Sequence, residues 1–217
     1  MISETKGAIL IISGPSGCGK STLLREVYSN VEDYCFSIST TTREKREGEV
    51  HGKDYFYVTK EEFLQDIKND NFLEWAEVHG NYYGTSIKPI LTALEASKLV
   101  IFDIDVQGHD IVREKLNSVV TSVFVTTPSL QILENRLYGR KTDSNDVIEK
   151  RLLNSQVEIR SFHKYDYLII NDNLEEASKQ LVAVANIARI KNELFDKEEI
   201  TTNWLEKQVS PADIIPQ

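Results

Sequence analysis

The chain of 217 residues has little of what staples, anchors or coats a protein: two cysteines, one methionine and five prolines. Cys18 and Cys35 form no Cys-x-x-Cys pair and have no histidine at ligand spacing, so neither a disulfide framework nor a zinc site is expected. The four histidines, at 51, 79, 109 and 163, read as loop or packing residues. No apolar run approaches the ~20 residues of a membrane span. The first residues also lack the charged-then-apolar pattern of a secretion signal. Positive charge is scarce: 25 Lys and Arg stand against 34 Asp and Glu, a formal charge of −9. That balance argues against sequence-independent nucleic-acid binding, which needs a basic face. The expectation is a cytoplasmic protein with no resident metal, no nucleic-acid partner and no membrane partner. Its length suits one α/β domain, or a domain with inserted lobes.

What is present is concentrated near the start. Gly14-Pro15-Ser16-Gly17-Cys18-Gly19-Lys20-Ser21-Thr22 follows the apolar run Ala8-Ile9-Leu10-Ile11-Ile12 and leads into Leu23-Leu24-Arg25-Glu26-Val27. Strand, glycine-rich turn and helix start form the context in which G-x-x-x-x-G-K-S binds phosphate. The glycines let the backbone curl with its N–H groups inward, and the helix start adds unpaired donors and partial positive charge. Lys20 would reach the β- and γ-phosphates of a nucleoside triphosphate, and the Ser21 hydroxyl would help hold Mg²⁺. A plain turn between a core strand and a helix is the competing reading; the strand before and the helix after weigh against it. Cys18, inside the loop, reads as a bland small side chain.

The rest of the chain alternates strand and helix. Residues 34–39 read as a second strand, 40–49 as a polar, turn-rich stretch, and 55–58 as a short strand. Thr59-Lys60-Glu61-Glu62 is a capping box opening a helix with Phe63, Leu64 and Ile67 on one face. Residues 72–78 alternate apolar and acidic, like a strand with one wet face, and 80–84 read as a turn. Phe63, Phe72 and Trp75 are expected as local core. A helix over about 87–97 leads to the buried strand 99–102 and then Asp103-Ile104-Asp105, the pattern of a Walker-B-type carboxylate. A strand over 119–125 follows, then a helix start at Thr127-Pro128 and a basic polar break at 136–143. The strand 167–170 precedes a last helix running to about 194. Beyond 197 a polar tail is expected, with one extra turn around Trp204. Five buried strands separated by helices imply a parallel sheet covered on both faces.

Arg43 and Arg46 lie in one polar segment, and Arg136, Arg140 and Arg151 surround another. Singly, each is explained by solvation; together, in an acidic chain, they suit a reaction that presses two anions together. No general base stands out. A phosphate monoester needs none, because its second pKa is near 6 and its attacking oxygen is mostly ionised at pH 7.

Residues 37–43 (Ser-Ile-Ser-Thr-Thr-Thr-Arg), 48–55 (Gly-Glu-Val-His-Gly-Lys-Asp-Tyr), 74–85 (Glu-Trp-Ala-Glu-Val-His-Gly-Asn-Tyr-Tyr-Gly-Thr) and 103–108 (Asp-Ile-Asp-Val-Gln-Gly) resemble the signature segments of guanylate kinases. The resemblance spans roughly Gly7 to Leu194. It implies a P-loop three-layer α/β fold with a five-stranded parallel core sheet, an inserted mixed α+β GMP-binding lobe and a helical lid. By position the core would be 1–36, 88–136 and 152–197, the GMP-binding lobe 37–87 and the lid 137–151, with 198–217 a tail. It also implies Mg²⁺-dependent phosphoryl transfer from ATP to GMP, giving ADP and GDP in purine nucleotide metabolism. Carried over by position, Arg43, Arg46, Tyr55 and Tyr83 would hold the GMP phosphate. Ser39, Glu74 and Thr85 would read guanine, with Asp105 close by. Asp103 would order water on Mg²⁺. Arg136, Arg140 and Arg151 would bridge the transferring group, and Asn171 would lie beside adenine. The chain departs from the family at Lys45, where proline is frequent, and at Lys141, where glycine commonly follows the lid arginine.

The chemistry of Glu74 stands apart from that resemblance. Guanine presents N–H donors at N1 and N2, which an acceptor-only carboxylate fits, whereas adenine fits it badly. Taken alone, Glu74 reads more readily as a solvated strand residue, since glutamate is usually exposed. Two alternatives differ from this function: a non-catalytic interaction module on the same fold, and a kinase for another phosphorylated acceptor. The first should show a degraded P-loop and missing arginines, which this chain does not. Lys20→Ala is therefore expected to leave the fold intact while lowering kcat by orders of magnitude. Circular dichroism with steady-state kinetics checks both halves, and unchanged turnover would remove the loop from the mechanism.

Overall fold

The computed structural model describes residues 6–78, 80–139 and 144–206. The chain runs through β1 (Ala8–Ser13), α1 (Lys20–Asn30), β2 (Tyr34–Phe36), β3 (Thr40–Thr41), β4 (Phe56–Tyr57), α2 (Lys60–Lys68), β5 (Phe72–Val78), β6 (Asn81–Ser86) and α3 (Ile87–Glu95). It continues through β7 (Leu99–Asp103), α4 (Val106–Leu116), β8 (Val120–Thr126), α5 (Leu130–Gly139), α6 (Asn145–Glu158), β9 (Tyr167–Ile170), α7 (Leu174–Ala188) and α8 (Lys197–Glu206).

All six residues of β1 are buried. An aliphatic run without polar alternation suits a strand covered on both faces, and β1 is the middle of a five-stranded sheet ordered β2-β7-β1-β8-β9. All its pairings are parallel. Ile9 and Ile11 lie with Val100 and Phe102 against Ile90 of α3 and Val112 of α4. Leu10 and Ile12 lie with Ile101 and Val125 against Leu23 and Val27 of α1 and Leu181 of α7. The expected parallel sheet between two helical layers is thus present. Its rim is less covered than expected, because β9 has a neighbouring strand on one side only and exposes Tyr167, Leu168 and Ile170.

A second sheet, ordered β4-β3-β6-β5, is formed by the segment between β2 and α3. Here the local patterns mislead. The strand expected over 34–39 stops at Phe36, and Thr40–Thr41, expected in a turn-rich stretch, enters the second sheet as β3. The cause is a distant partner: Thr41 Oγ1 donates to Tyr82 O at 2.9 Å, and Thr42 Oγ1 accepts from Tyr82 N at 2.9 Å. The turn expected over 80–84 shrinks to the chain around Gly80 (φ 78°), after which β6 runs back antiparallel along β5. The capping box of α2 forms as expected, with Thr59 Oγ1 accepting from Glu62 N and Glu62 Oε2 from Thr59 N. Phe63 is fully buried and stacks on Phe72 with ring centroids 4.3 Å apart. Leu64 and Trp75 do not join it; they are 37% and 45% exposed. Leu64 lies one residue, about 100° of helix, off the face of Phe63. A bulge between Phe72 and Glu74 lets both Phe72 and Leu73 be buried, while Trp75, tilted against Tyr82 at 6.1 Å, lies at the open side of that cluster.

Three boundaries also differ. The polar break expected from 136 begins later, since α5 continues through Arg136 to Gly139. The last helix of the core ends at Ala188, followed by a 3₁₀ turn at Asn192–Leu194 that buries Leu194. The extra turn around Trp204 is a ten-residue helix, α8, whose first amides, Glu198 N and Glu199 N, donate to Asp196 Oδ1 at 3.0 and 2.9 Å. His109 is a packing residue as expected, 1% exposed and stacked 4.0 Å from Tyr165. Among the described residues no helix is long and apolar enough to cross a membrane.

Asp166 ties the start of β9 to β8 and α4. It accepts from Arg113 through both carboxylate oxygens, from Ser122 N at 2.8 Å and from Ser122 Oγ at 3.2 Å. Burial works to raise its pKa, but the Arg113 and Ser122 hydrogen bonds outweigh it and hold the carboxyl below its ordinary value. A depressed carboxylate pKa stabilises the fold above the unfolded value of about 3.9 and loses that stabilisation as pH falls through the folded value. Asp166→Asn is expected to cost about 1–3 kcal/mol at pH 7. The difference from wild type should shrink as the pH of a urea titration drops below about 4. A difference that stays constant into acid would rule out the charge as its origin.

Candidate active site

β1 delivers the glycine-rich loop to the C-terminal edge of the sheet, between β7 and β8. Gly14 has φ +140°, and a Cβ there would stand 1.9 Å from Val125 O. Gly19 has φ +103°, and its Cβ would meet Asn171 Nδ2 at 2.3 Å. Behind it α1 starts with no side-chain cap and no acidic residue in its first turn, so no side chain offsets the positive end of its dipole. Lys20 folds back over the loop, its Nζ donating to Gly14 O at 2.6 Å and lying 4.0 Å from Asp103 Oδ1. Asp103 pairs in register with Ile12, so the sheet itself sets the spacing between loop and carboxylate. Surrounding protein raises the pKa of Asp103 and Lys20 draws it down. Burial likewise raises that of the fully buried Cys18 thiol, which keeps it protonated and unreactive.

Side chains from three other elements close on this loop. Asn171, 4% exposed, donates from Nδ2 to Cys18 O at 2.8 Å, and its N–H donates to Thr126 O at 2.7 Å. Arg136 of α5 donates to Asn171 O at 2.9 Å and to Cys18 O at 3.5 Å. Arg151 of α6 reaches Ser16 Oγ at 3.4 Å. Glu158, the last residue of α6, is half-buried. Burial raises its pKa, and the charges it feels are those of Lys20 and Asp105.

A second cluster stands on the smaller sheet. Arg43 Nη2 donates to both oxygens of Glu49, at 2.7 and 3.0 Å. Its Cζ lies 5.5 Å from the centre of the Tyr55 ring, and Tyr83 meets Tyr55 edge-on at 6.1 Å. Glu74 and Thr85 are register partners on β5 and β6, and Thr85 Oγ1 donates to Glu74 Oε1 at 2.6 Å. Burial raises the pKa of Glu74; the Thr85 hydrogen bond lowers it, and the charge of Asp105 raises it again. Asp105 caps α4, its Oδ1 accepting from Gln107 N at 3.0 Å and Gly108 N at 2.8 Å. Glu74 and Glu158 both feel Asp105, and Glu158 feels Lys20, so the two clusters share one electrostatic neighbourhood.

The family model described as guanylate kinase matches residues 6–187. A guanylate kinase of Wolinella succinogenes is 45% identical over 207 residues, covering 95% of this chain and 96% of the relative. One from Helicobacter hepaticus is 54% identical over 181 residues, covering 83% and 90%. The crystal structure of guanylate kinase from Anaplasma phagocytophilum superposes with a TM-score of 0.72 at 29% identity, covering 99% of this chain and all of that one. The chain belongs to the guanylate kinase family.

In this member of the guanylate kinase family the expected site residues divide into four groups. Gly14, Pro15, Ser16, Gly17, Cys18, Gly19, Lys20, Ser21 and Thr22 form the loop and the helix start, with Asp103, Arg136, Arg151 and Asn171 gathered on them. Arg43, Tyr55 and Tyr83 gather on the smaller sheet, as do Glu74 and Thr85, with the charge of Asp105 facing Glu74. Arg46 is exposed, its N–H donating to Glu49 Oε2 at 2.8 Å, and Ser39 gives its carbonyl to Phe56 N at 2.9 Å. Arg140 and Lys141 lie outside the described residues, as does His79. Three members of these clusters carry no role in the sequence reading: Glu49, Tyr57, whose hydroxyl donates to Glu49 Oε2, and Glu158. Glu158 follows Arg151 by seven residues, two helical turns, which was the available signal. Glu49 and Tyr57 sit in a charged run and a short strand, where nothing local marks them.

Asn171→Ala would leave the buried Cys18 carbonyl without its closest donor. The expected cost is about 1–3 kcal/mol of stability, with triphosphate affinity weakened about tenfold as the loop loosens. Urea denaturation and titration with ATP measure the two effects, and unaltered ATP affinity would deny Asn171 a part in shaping the loop.

Proposed function

We propose that the chain transfers the γ-phosphoryl group of ATP to GMP, giving ADP and GDP. The observation that carries this is the Lys20–Asp103 arrangement at the mouth of an intact phosphate loop. An interaction module on this fold has no use for it. The guanylate kinases of Wolinella succinogenes and Helicobacter hepaticus support the same reaction class by their names and their coverage of this chain.

In this reading the backbone of residues 14–19 and the start of α1 cradle the donor's phosphates, and Lys20 exchanges Gly14 O for a phosphate oxygen. Arg136, Arg140 and Arg151 neutralise charge on the transferring group. Arg43, Arg46, Tyr55 and Tyr83 hold the acceptor's phosphate; Ser39, Glu74, Thr85 and Asp105 face guanine; Asn171 shapes the loop on the adenine side. Transfer then needs alignment and charge neutralisation rather than proton removal, since the attacking phosphate oxygen is already ionised at pH 7.

Asp103 and Ser21 suit Mg²⁺: both offer oxygen, one a carboxylate beside Lys20 and one an exposed hydroxyl at the helix start. Ser21 would hold the ion directly and Asp103 through an ordered water, which suits an ion that dehydrates reluctantly. When bound, Mg²⁺ supplies charge neutralisation across the β- and γ-phosphates. The division into a core, a GMP-binding lobe at 37–87 and a lid at 137–151 goes with this mechanism. Flaps that assemble the site only around both nucleotides would keep water from the γ-phosphate.

Acceptor choice tests the reading. As a carboxylate, Glu74 accepts from guanine N1–H and N2–H, while Thr85 occupies only one lone pair of Oε1. GMP is expected to exceed AMP and UMP in kcat/KM by about 10⁴-fold. Glu74→Gln should lower the value for GMP by about 10²-fold or more, because an amide N–H then faces a guanine N–H. A coupled ADP-release assay with GMP, dGMP, AMP and UMP measures this. Equal turnover of AMP would overturn guanine recognition, and no turnover of any acceptor would overturn the kinase.

A further inference from the structure

Glu49 is the most heavily hydrogen-bonded carboxylate of the smaller sheet's cluster, yet nothing in the reaction as described uses it. Its Oε2 accepts from Tyr57 OH at 2.7 Å, Arg46 N at 2.8 Å and Arg43 Nη2 at 3.0 Å; its Oε1 accepts from Arg43 Nη2 at 2.7 Å. Its own N–H returns to Arg46 O at 3.2 Å, closing the loop 43–49 on itself. The side chains of Arg43 and Glu49 are only 14% and 20% exposed, so this is not an ordinary solvated surface pair.

We propose that Glu49 is a positioning residue for the acceptor phosphate: it joins Arg43, Tyr57 and the 43–49 backbone into one unit that presents the guanidinium to GMP already ordered. The proposal rests on reading Arg43 as a phosphate ligand. Arginine has five N–H donors in a fixed fork. Glu49 takes at most two and Glu44 O takes one, at 2.7 Å from Nη1, so at least two remain for an anion. The phosphate therefore does not have to displace Glu49. Three donor groups hold the carboxylate, and two of them, Tyr57 OH and Arg46 N, would still hold it if Arg43 shifted. The rotamer freedom that a loose arginine would lose on binding is lost already in the free protein, which favours binding.

The pair also stays ionised over the working range. Chiefly through the Arg43 hydrogen bond, the Glu49 pKa falls to about 2, and the same bond raises that of Arg43. The other titratable groups on this unit keep their protons: Tyr57 is pushed up to about 12 by burial and Glu49, and burial raises Tyr55.

Steady-state kinetics on Glu49→Gln and Tyr57→Phe, with GMP and ATP varied in turn, tests the proposal. In E49Q the KM for GMP should rise about tenfold or more, with kcat at saturating GMP within about threefold and the KM for ATP unmoved. Y57F should give a smaller rise of the same kind. An unmoved KM for GMP in E49Q overturns the proposal, and a lowered one does so too, because it would make Glu49 a competitor of the phosphate. A parallel rise in the KM for ATP, or a large fall in thermal midpoint, would reduce Glu49 to a structural residue. Arg43→Lys tests the underlying reading separately. If it leaves the KM for GMP unchanged, Arg43 is no phosphate ligand and the proposal falls with it. If that KM rises, adding E49Q to R43K should raise it little further, since both act through one contact.

Discussion

The site depends on a short piece of backbone pressed so close to its neighbours that side chains are excluded. Val125 O lies where a Cβ of residue 14 would stand, and the amide of Asn171 lies where one of residue 19 would stand. Both residues also hold positive φ, which other residue types rarely adopt. The strands on either side of β1 therefore do more than complete a sheet. β8 forms the wall against which Gly14 turns, β7 ends in Asp103 opposite Ile12, and the residue after β9, Asn171, braces Cys18 O. A phosphate-binding curl is a high-energy shape for a free chain. Here packing on three strands and one helix determines it.

From that curl follows a problem of charge. Two anions must approach in a chain that is itself at −9. The cations proposed to answer it are drawn from separate elements: Lys20 from α1, Arg136 from α5, Arg151 from α6 and Arg43 from the segment after β3. No single element could hold them all facing inward, because adjacent positive side chains on one helix face repel. Carboxylates are interleaved with them. Asp103 faces Lys20, Glu49 faces Arg43, and Glu158 lies in the field of both Lys20 and Asp105. The acidic surplus of the chain thus reaches into the site.

What could be read along the chain was what depends on local pattern. The aliphatic run of β1, the loop's glycines and lysine, the Thr59–Glu62 box and the parallel order of the main sheet all belong to that class. Contacts between distant segments could not be read. Thr40 and Thr41 become a strand because β6 arrives some forty residues later, and Tyr82 and Tyr83 sit in that strand rather than in a turn. Trp75 reads as core by its type, yet beside Tyr82, at 6.1 Å, it stands at the open side of the Phe63 cluster and stays 45% exposed. Arg43 and Tyr55 could be marked for phosphate on chemistry and resemblance. Their dependence on Glu49 and Tyr57 appears only once the 43–49 loop has closed.

A feature common to the two clusters bears on how the site holds its charges before a nucleotide arrives. Lys20 donates to Gly14 O, Arg136 to Asn171 O and Cys18 O, Arg151 to Ser16 Oγ, and Arg43 to Glu49 and Glu44 O. Each described cation proposed to meet phosphate, apart from the exposed Arg46, already bonds a protein oxygen. A buried cation without such a partner would be costly, and one left in water would have to be stripped of it on binding. Protein oxygens solve both difficulties, because a phosphate oxygen can replace a carbonyl or join a carboxylate with little change in the number of hydrogen bonds. Gly14 O and Ser16 Oγ are neutral acceptors that a phosphate oxygen could replace, while Asp103 stays within 4.0 Å of Lys20. Glu49 is a charged partner that leaves the Arg43 guanidinium with donors to spare, so an anion can join it without displacing it.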